Sequence, residues 1–558
     1  MHLKGEPSPR ANLEERLYAV ELAWVHLLAR LGCTCFAIYL LLLGLYAAGC
    51  MIGPDFRRPP APVGKQWAQT GEASLATRGR NEEFRDWWSV FNDPVLTRLV
   101  QTAYRNNLTL RQAGVRVLEA RAQLGIAIGE FFPQQQYLSA AVSNNRIPTS
   151  VPYSITNHTW WSDSFAMTAG WEVDVWGKLR RAIQSADDSF LASVADYDNV
   201  LVTLTGDVAG TYVQIRTLAK RVAIARQNAS REKEVLEIVK DRHDEGVVSG
   251  RDVYQAENVL ASTEATVPQL TAQLEQSKYA LAILIGLPAE NVESVLDSST
   301  EIPSAPDRVT VGIPADLLRR RPDVRQAELQ AAAQCAQIGY AKADLLPGFT
   351  LFGTVGTFAS TVSNNYLGNV FSTASLAYTV GPQLQWNILN YGQITNNVRL
   401  QDARFQELIV AYQNAVLKAQ QEVENGISAF IQSKAALVYL REAEKAAEDA
   451  LSIAVTQYKE GILDFTTVLT AQQNLLAAQN NLAIGSGAVP QGLIAIYRAM
   501  GGGWQIREGH NFVPAATGSE MAKRTNWGQL LTPDLMRPSA PGLPTPRNQA
   551  YPVRLPEW

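Results

Sequence analysis

The chain predicts a mostly helical protein with a small complement of membrane-type β-strands, written as a tandem repeat. Three observations carry that prediction. First, the sequence aligns on itself. A shift of 214 residues lays "LTLRQAGVRVLEARAQLGIAIGEFFP" (108–133) on "PDVRQAELQAAAQCAQIGYAKADLLP" (322–347), and a shift of 215 takes over from Trp171/Trp386 to beyond Leu260/Leu475. Second, each copy holds long stretches with an apolar residue about every 3.6 positions, as in Val194, Tyr197, Leu201, Leu204, Val208, Tyr212, Ile215, Leu218 and Val222. Third, each copy also holds short stretches of period two. Leu376, Tyr378, Val380, Pro382, Leu384, Trp386 and Ile388 alternate with Ala377, Thr379, Gly381, Gln383, Gln385 and Asn387.

Taken from the N-terminus, residues 34–49 form a 16-residue apolar run after Arg30. It is short for a spanning helix and suits the core of a secretory signal. It ends in "AAGC", a pattern like the bacterial lipoprotein cleavage box with Ala47 where a Leu is usual, so Cys50 is the expected lipidation site. A retained anchor or cleavage without lipid are the alternatives. The leading segment is long and polar for a signal, which suggests a start codon further downstream. Residues 1–49 are thus read as signal, 50–107 as a lipidated extended segment with short helices, 108–313 and 314–507 as the two repeats, and 508–558 as a tail. That tail holds eight prolines and little periodicity, and reads as disordered or draped along the outside.

Within each repeat the order is helix, strand, polar loop, strand, long helix, tip, helix. The strands of the second copy fall at 349–359 and 376–388, and the first copy's strand after Pro133 is the weakest signal. In "WEVDVWGKLRR" the alternation stops at Gly177 and helical spacing begins at Lys178, and Gly392 repeats the change. Both glycines are expected where a strand becomes a helix. No proline interrupts 178–267, and about 60 helical residues would reach ~90 Å. After residue 50 there is no apolar run of 18 or more, whereas strands of about ten alternating residues suit a tilted crossing of a bilayer. Trp171, Val173, Leu384 and Trp386 are expected to face lipid, and Glu172, Asp174, Gln385 and Asn387 a wet interior. Four strands cannot close a barrel, and open edges in lipid leave backbone groups unsatisfied, so the chain must pool its strands with other copies.

Composition excludes several classes. A net charge of −4 offers no basic excess for nucleic acid. Five scattered His (2, 26, 158, 243, 510) make a transition-metal or imidazole enzyme hard to build, and no cofactor, metal or catalytic residue is expected. Cys335, in an Ala-rich helical context, reads as core rather than half of a disulfide. "RHDE" (242–245) is not an active site, since adjacent helical residues point apart. "GGGW" (501–504) lacks the Lys and following helix of a nucleotide loop. The three arginines of "LLRRRPDV" read as a solvated face before a helix opened by Pro322 and Asp323.

The motifs "GCMIGPDFRRPPAP" (49–62), "WWSVFNDPVLTRLV" (87–100), "WEVDVWGKLRR" (171–181), "GIPADLLRRRPDVRQAE" (312–328), "QYKEGILDFTTVLTAQQNLLAAQNNLA" (457–483) and "IYRAMGGGW" (496–504) resemble those of the TolC/OprM-type outer-membrane factors of tripartite efflux pumps, in particular the lipoprotein branch. The resemblance covers about 49–507. It implies a homotrimer with a 12-stranded β-barrel in the outer membrane and a periplasmic α-barrel. It also implies a passive exit duct for small toxic compounds or drugs, fed by a periplasmic adaptor and an inner-membrane RND-type transporter. Protein export through a TolC-like type I system, and a non-conducting trimeric coiled-coil lipoprotein, are the other readings. By the same resemblance, Gly246, Val247, Val248 and Ser249 with Gly461, Ile462 and Leu463 form tips that receive the adaptor. Tyr458, Asp464, Thr466, Thr470 and Gln473 occupy the region of the periplasmic gate, where Thr466, Thr470 and Gln473 depart from the Leu, Asp and Arg common in that branch. Thr470 cannot supply the field of an acidic ring.

Overall fold

The computed structural model describes residues 51–64, 67, 75–76, 84–148, 150, 158–297, 299–306, 309–310, 320–363 and 369–531. The signal segment and Cys50 therefore lie outside the described residues. In chain order the main elements are α1 (Pro94–Asn106), α2 (Leu108–Gly129), β1 (Gln135–Arg146), β2 (Thr159–Val173), α3 (Lys178–Asp244) and α4 (Gly250–Ile285). They continue with α5 (Pro322–Ala343), β3 (Gly348–Ser360), β4 (Leu376–Gln385), α6 (Gln393–Lys459), α7 (Phe465–Ala499) and α8 (Ala515–Arg524). A two-residue parallel pair, Leu75–Ala76 with Val309–Thr310, stands apart. From α2 to α4 and from α5 to α7 the order is the same, and α3 and α6 are both 67 residues long.

The chain divides into two compact units. One comprises the described parts of 1–56 with 125–186 and 334–404, and is built on a four-stranded antiparallel sheet in the order β1-β2-β3-β4. β1, the faintest strand in the sequence, is 12 residues long because it pairs with β2 from Gln135↔Gly170 to Arg146↔Thr159. The strand signal at 376–388 overshoots, since β4 ends at Gln385 and Trp386 and Ile388 lie beyond it. Gly177 and Gly392 adopt φ of 77° and 82° at the strand-to-helix change, a left-handed conformation that costs a residue with a Cβ. The indole N–H of Trp171 donates to the carbonyl of Phe131 at 3.1 Å, and that of Trp386 to Leu345 at 3.0 Å, the same bond one repeat apart. Asp174 does not face a wet interior. Its carboxylate accepts from the backbone N–H of Leu179 (3.1 Å) and Arg180 (3.0 Å) and from Arg180 Nε (3.0 Å), because the orphan N–H groups opening α3 need an acceptor. Cys335 is buried and forms no disulfide among the described residues, its thiol donating to the carbonyl of Pro54 at 3.6 Å.

The other unit comprises the described parts of 57–124, 187–333 and 405–531. Its main core joins Trp87, Trp88, Leu96 and Leu99 to the stripe Val194–Ile215 of α3 and to Phe430, Leu493 and Tyr497. Trp87 stacks on Tyr497 at 5.4 Å with rings 16° apart. Asp93 caps α1 through the N–H groups of Val95 and Leu96 and receives the hydroxyl of Tyr212 at 2.7 Å, tying helix start to core. Backbones of α6 and α7 approach so closely that a Cβ on Gly492 would stand 2.8 Å from the amide of Phe430.

Arg321 is not on a solvated face: it is 7% exposed, pairs with Asp323 (2.8 Å) and Glu422 (2.7 Å), and donates to the carbonyl of Ala499. Nor is the tail unstructured from its start. Phe512, Val513 and Met521 enter the core, with Phe512 edge-on to Tyr197 at 5.1 Å, and α8 follows. The buried pair Arg507–Asp198 anchors its beginning, with Nη2 2.8 Å from Oδ2. Prolines C-terminal to Thr532 hide this anchor in the composition, and residues 532–558 lie outside the described residues.

Candidate functional sites

Across the sheet, side chains sort by face. One row reads Leu138, Met167, Val355 and Tyr378, paired strand to strand, and all four are exposed. The adjacent row, on the opposite face, reads Tyr137, Thr168, Thr354 and Thr379, with the hydroxyls of Thr168 and Thr354 3.3 Å apart. Leu351, Val380 and Leu384 extend the apolar face. An exposed aliphatic band on strands of 10–15 residues is a surface for hydrocarbon rather than water. Among the described residues no helix is long and apolar enough to cross a membrane.

In the other unit, each long helix ends at a tip. Gly246 and Gly461 both have φ of 76°, and the following amides close the turn: Val247 N–H to the Arg242 carbonyl and Ile462 N–H to the Gln457 carbonyl, each at 2.9 Å. The next helices are capped by acids. Asp252 accepts from the N–H and hydroxyl of Ser249 at 3.3 Å, and Asp464 accepts from the N–H and hydroxyl of Thr467 at 3.0 Å. Asp464 is thus a cap exposed to solvent. At matched positions of the two turns, Val247 (58%) and Ile462 (64%) are exposed, while Val248 packs on the hairpin core and Leu463 is half-buried.

Thr466, Thr470 and Gln473 lie on one exposed face of α7, at spacings of four and three, and the Thr470 hydroxyl donates to the Thr466 carbonyl at 2.8 Å. Tyr458 is elsewhere. It is 3% exposed, 5.4 Å from the ring of Phe465, with the guanidinium of Arg242 4.7 Å over its face. Its hydroxyl is buried without a hydrogen-bond partner among the described residues, and burial pushes its pKa up. Arg242 also donates to the carbonyls of Tyr458 and Lys459, joining the first tip to the end of α6. Sequence reasoning passed over Arg242 as part of "RHDE". Its only signal was a cation one turn before a helix end. Among the described residues no group of three or more His, Cys, Asp and Glu is placed to hold a metal.

The profile of the family described as outer membrane efflux protein matches residues 99–287 and 313–502, once on each repeat and over more than half of the chain. The chain belongs to that family. Among its relatives is the pyoverdine export outer membrane protein OpmQ of Pseudomonas aeruginosa, 30% identical over 465 residues, covering 82% of this chain and 96% of OpmQ. The toluene efflux pump outer membrane protein TtgF of Pseudomonas putida is 28% identical over 474 residues, covering 83% and 96%. Nodulation protein T of Rhizobium leguminosarum bv. viciae is 30% identical over 448 residues, covering 79% and 88%. Of solved structures, the outer-membrane channel OprN superposes with a TM-score of 0.74 at 31% identity, covering 82% of this chain and all of OprN. This family member is therefore an outer-membrane efflux channel, of α-barrel and β-barrel fold, and its neighbours are channels rather than enzymes. Membership of the family implies the outer membrane with an extension into the periplasm.

Proposed function

We propose that three copies pool their strands and helices into one continuous duct, which passively conducts small toxic compounds handed on by a periplasmic adaptor and an inner-membrane RND-type transporter. One observation carries the pooling. Val410, Leu417, Tyr254 and Tyr279 are exposed apolar residues, yet their counterparts one repeat away, Ala195, Val202, Leu469 and Ile494, are 2–8% exposed. A position buried in one copy of the repeat and bare in the other is covered by the next chain. The sheet argues the same way, since among the described residues β1 and β4 each leave an edge unpaired.

The repeat even supplies the register. Gln135↔Gly170 in the first hairpin and Gly348↔Gln385 in the second are the equivalent end pairs of their ladders, 213 residues apart from β1 to β3 and 215 from β2 to β4. Moving the central pairs Trp171↔Leu351 and Ala169↔Gly353 by the same step sets Trp386 against Leu138, and Leu384 against Ala140, of a second copy. The count of three follows the family resemblance. Met51 supports lipidation at Cys50: it lies against Gly177, and Ile52 N–H donates to the Trp176 carbonyl at 3.1 Å, at the end of a membrane strand where an acyl chain would reach the leaflet. Val247 and Ile462, bare aliphatics at both tips, favour an adaptor's apolar docking there.

The test is a paired-cysteine variant, L384C/A140C, beside L384C/A141C, which is one residue out of register. Oxidation of the first is expected to give a covalent ladder ending at trimer, and the second little product. A purified protein that conducts in planar bilayers completes the reading. A trimer without conductance would favour the structural coiled-coil alternative. Drug susceptibility of a deletion strain, compared with its secreted proteins, separates small-molecule efflux from protein export.

A further inference from the structure

Charge is shared unequally among the long helices. The tip-ward stretches of α3 (226–244) and α6 (441–459) carry ten and seven Asp, Glu, Lys and Arg in 19 residues each. α7 carries one in 35 residues, Arg498, near its far end. Yet α7 has a bare face. Thr466, Thr470, Gln473, Ala477, Asn481 and Ile484 are all exposed and follow one another at steps of four, three, four, four and three, which keeps them on one side of the helix. A shift of 215 carries this stripe onto Arg251, Gln255, Asn258, Ser262, Thr266 and Gln269 of α4, which are exposed or half-buried. The acids of α4 lie off that line. Asp252 caps the helix, Glu257 pairs with Lys240 at 3.5 Å, and Glu275 with Lys278 at 2.8 Å. Glu264 stands midway between Ser262 and Thr266 and points away from both.

A helix face turned to bulk water is ordinarily furnished with charge, as α3 and α6 are. A face turned across a narrow wet passage toward its own copies is different, because each charge there repels its equivalents and concentrates counter-ions. Resting on the trimeric duct proposed above, we infer that the stripes of α4 and α7 line the passage, and that it admits organic anions as freely as cations. Arg251 is the residue that sets the small remaining bias, toward anions. Each copy contributes twelve lining positions, and the one charge among them is positive. Arg251 is exposed, but its guanidinium stands 3.4 Å from Oδ1 of Asp252, which offsets part of its field. At physiological salt a charge acts over about 8 Å, so a ring of acids would reach every ion in a narrow passage, and the stripe holds none. The other unit agrees. Among the described residues, the polar face of the sheet carries one charged side chain, Glu172, and Lys178 Nζ lies 3.8 Å from its Oε1. Neither wall therefore turns back a carboxylate or sulfonate cargo by its charge.

The full-length protein in planar bilayers under a potassium chloride gradient tests this. Chloride is expected to permeate at least as well as potassium, and by no more than about threefold better. Arg251→Gln should bring the ratio to about one, and Thr470→Asp should favour potassium about fivefold or more. Thiol reagents check which way the stripe faces, since Cys335 is buried. Thr470→Cys is expected to react with a sulfonate-bearing and a trimethylammonium-bearing methanethiosulfonate within about threefold of each other, after division by their rates with a free thiol. The sulfonate adduct should then favour potassium, as Thr470→Asp does. A parent channel that excludes chloride several-fold overturns the inference. So does a Thr470→Asp channel with the parent's ratio, because the stripe then lies outside the passage. If Thr470→Asp does not assemble, the parent ratio and the Thr470→Cys reactions decide. A protein that conducts no ions refutes the duct itself, a result distinct from a conducting pore that shuts chloride out.

Discussion

Glu232 offers a quantitative test of how the first hairpin is packed. It sits on α3, 4% exposed, with the hydroxyl of Thr263 donating to Oε1 at 3.0 Å and Oε2 buried without a partner among the described residues. Burial pushes its pKa up to about 7 from 4.5. The Thr263 hydrogen bond pulls the other way, and the charge of Glu264 adds to the rise. Between those two pH values the native hairpin holds a proton that the unfolded chain has released. Stability therefore falls as pH climbs from 4.5 through about 7 and is flat above. At about 1.4 kcal/mol per pH unit the loss is at most about 3–4 kcal/mol, and less wherever water reaches Oε2. The perturbation is Glu232→Gln, which keeps the volume and an acceptor for Thr263 but cannot ionise. The second hairpin shows that the carboxyl is dispensable for packing, since Ala447 and Ala478 occupy the matching places. Unfolding of the helical signal, followed at fixed protein concentration from pH 5 to 8, should show variant and parent alike near pH 5. The variant should be about 1–3 kcal/mol more stable at pH 8. Parallel curves across that range would show that Glu232 is solvated and refute the argument.

Three further outcomes follow from single contacts. Arg507→Ala strands the carboxylate of Asp198 in the core and should cost about 3–5 kcal/mol in denaturant unfolding, with Arg507→Lys between the two. Gly177→Ala should destabilise more than Gly392→Ala in thermal melts. Both pay about 1–2 kcal/mol for a left-handed backbone, but only at Gly177 would a Cβ also stand 2.9 Å from Met51 Cα. Asp464→Ala removes the acceptor for Thr467 N–H and should weaken the start of α7 by about 1 kcal/mol, read as faster amide exchange at Thr466 and Thr467 without loss of the fold elsewhere.

Much of this was legible in the chain because a duplicated sequence displays its own constraints twice. Gly177/Gly392 and Gly246/Gly461 recur where a left-handed φ is needed, and all four have it. Alternation in β2 to β4 was visible because each strand separates an apolar from a polar face, whereas β1 is rich in Gln, Ser and Ala and became a strand through its pairing with β2. The gate region was less readable. Whether Tyr458 faces a lumen or a core depends on which helix lies beside it, and Arg242 and Phe465 come from different elements.

What the sequence by itself determined is the local periodicity and its repetition: elements, turn positions, and the need for more wall than four strands provide. Those follow from backbone geometry and from which side of each segment is apolar, properties of neighbours a few residues apart. Only the tertiary structure decided which polar groups meet across hundreds of residues. Arg507 finds Asp198, Arg321 finds Glu422, and Glu232 is shut away with Thr263. A buried charge must be matched by one particular partner wherever the fold delivers it, and no periodicity in the chain records that delivery.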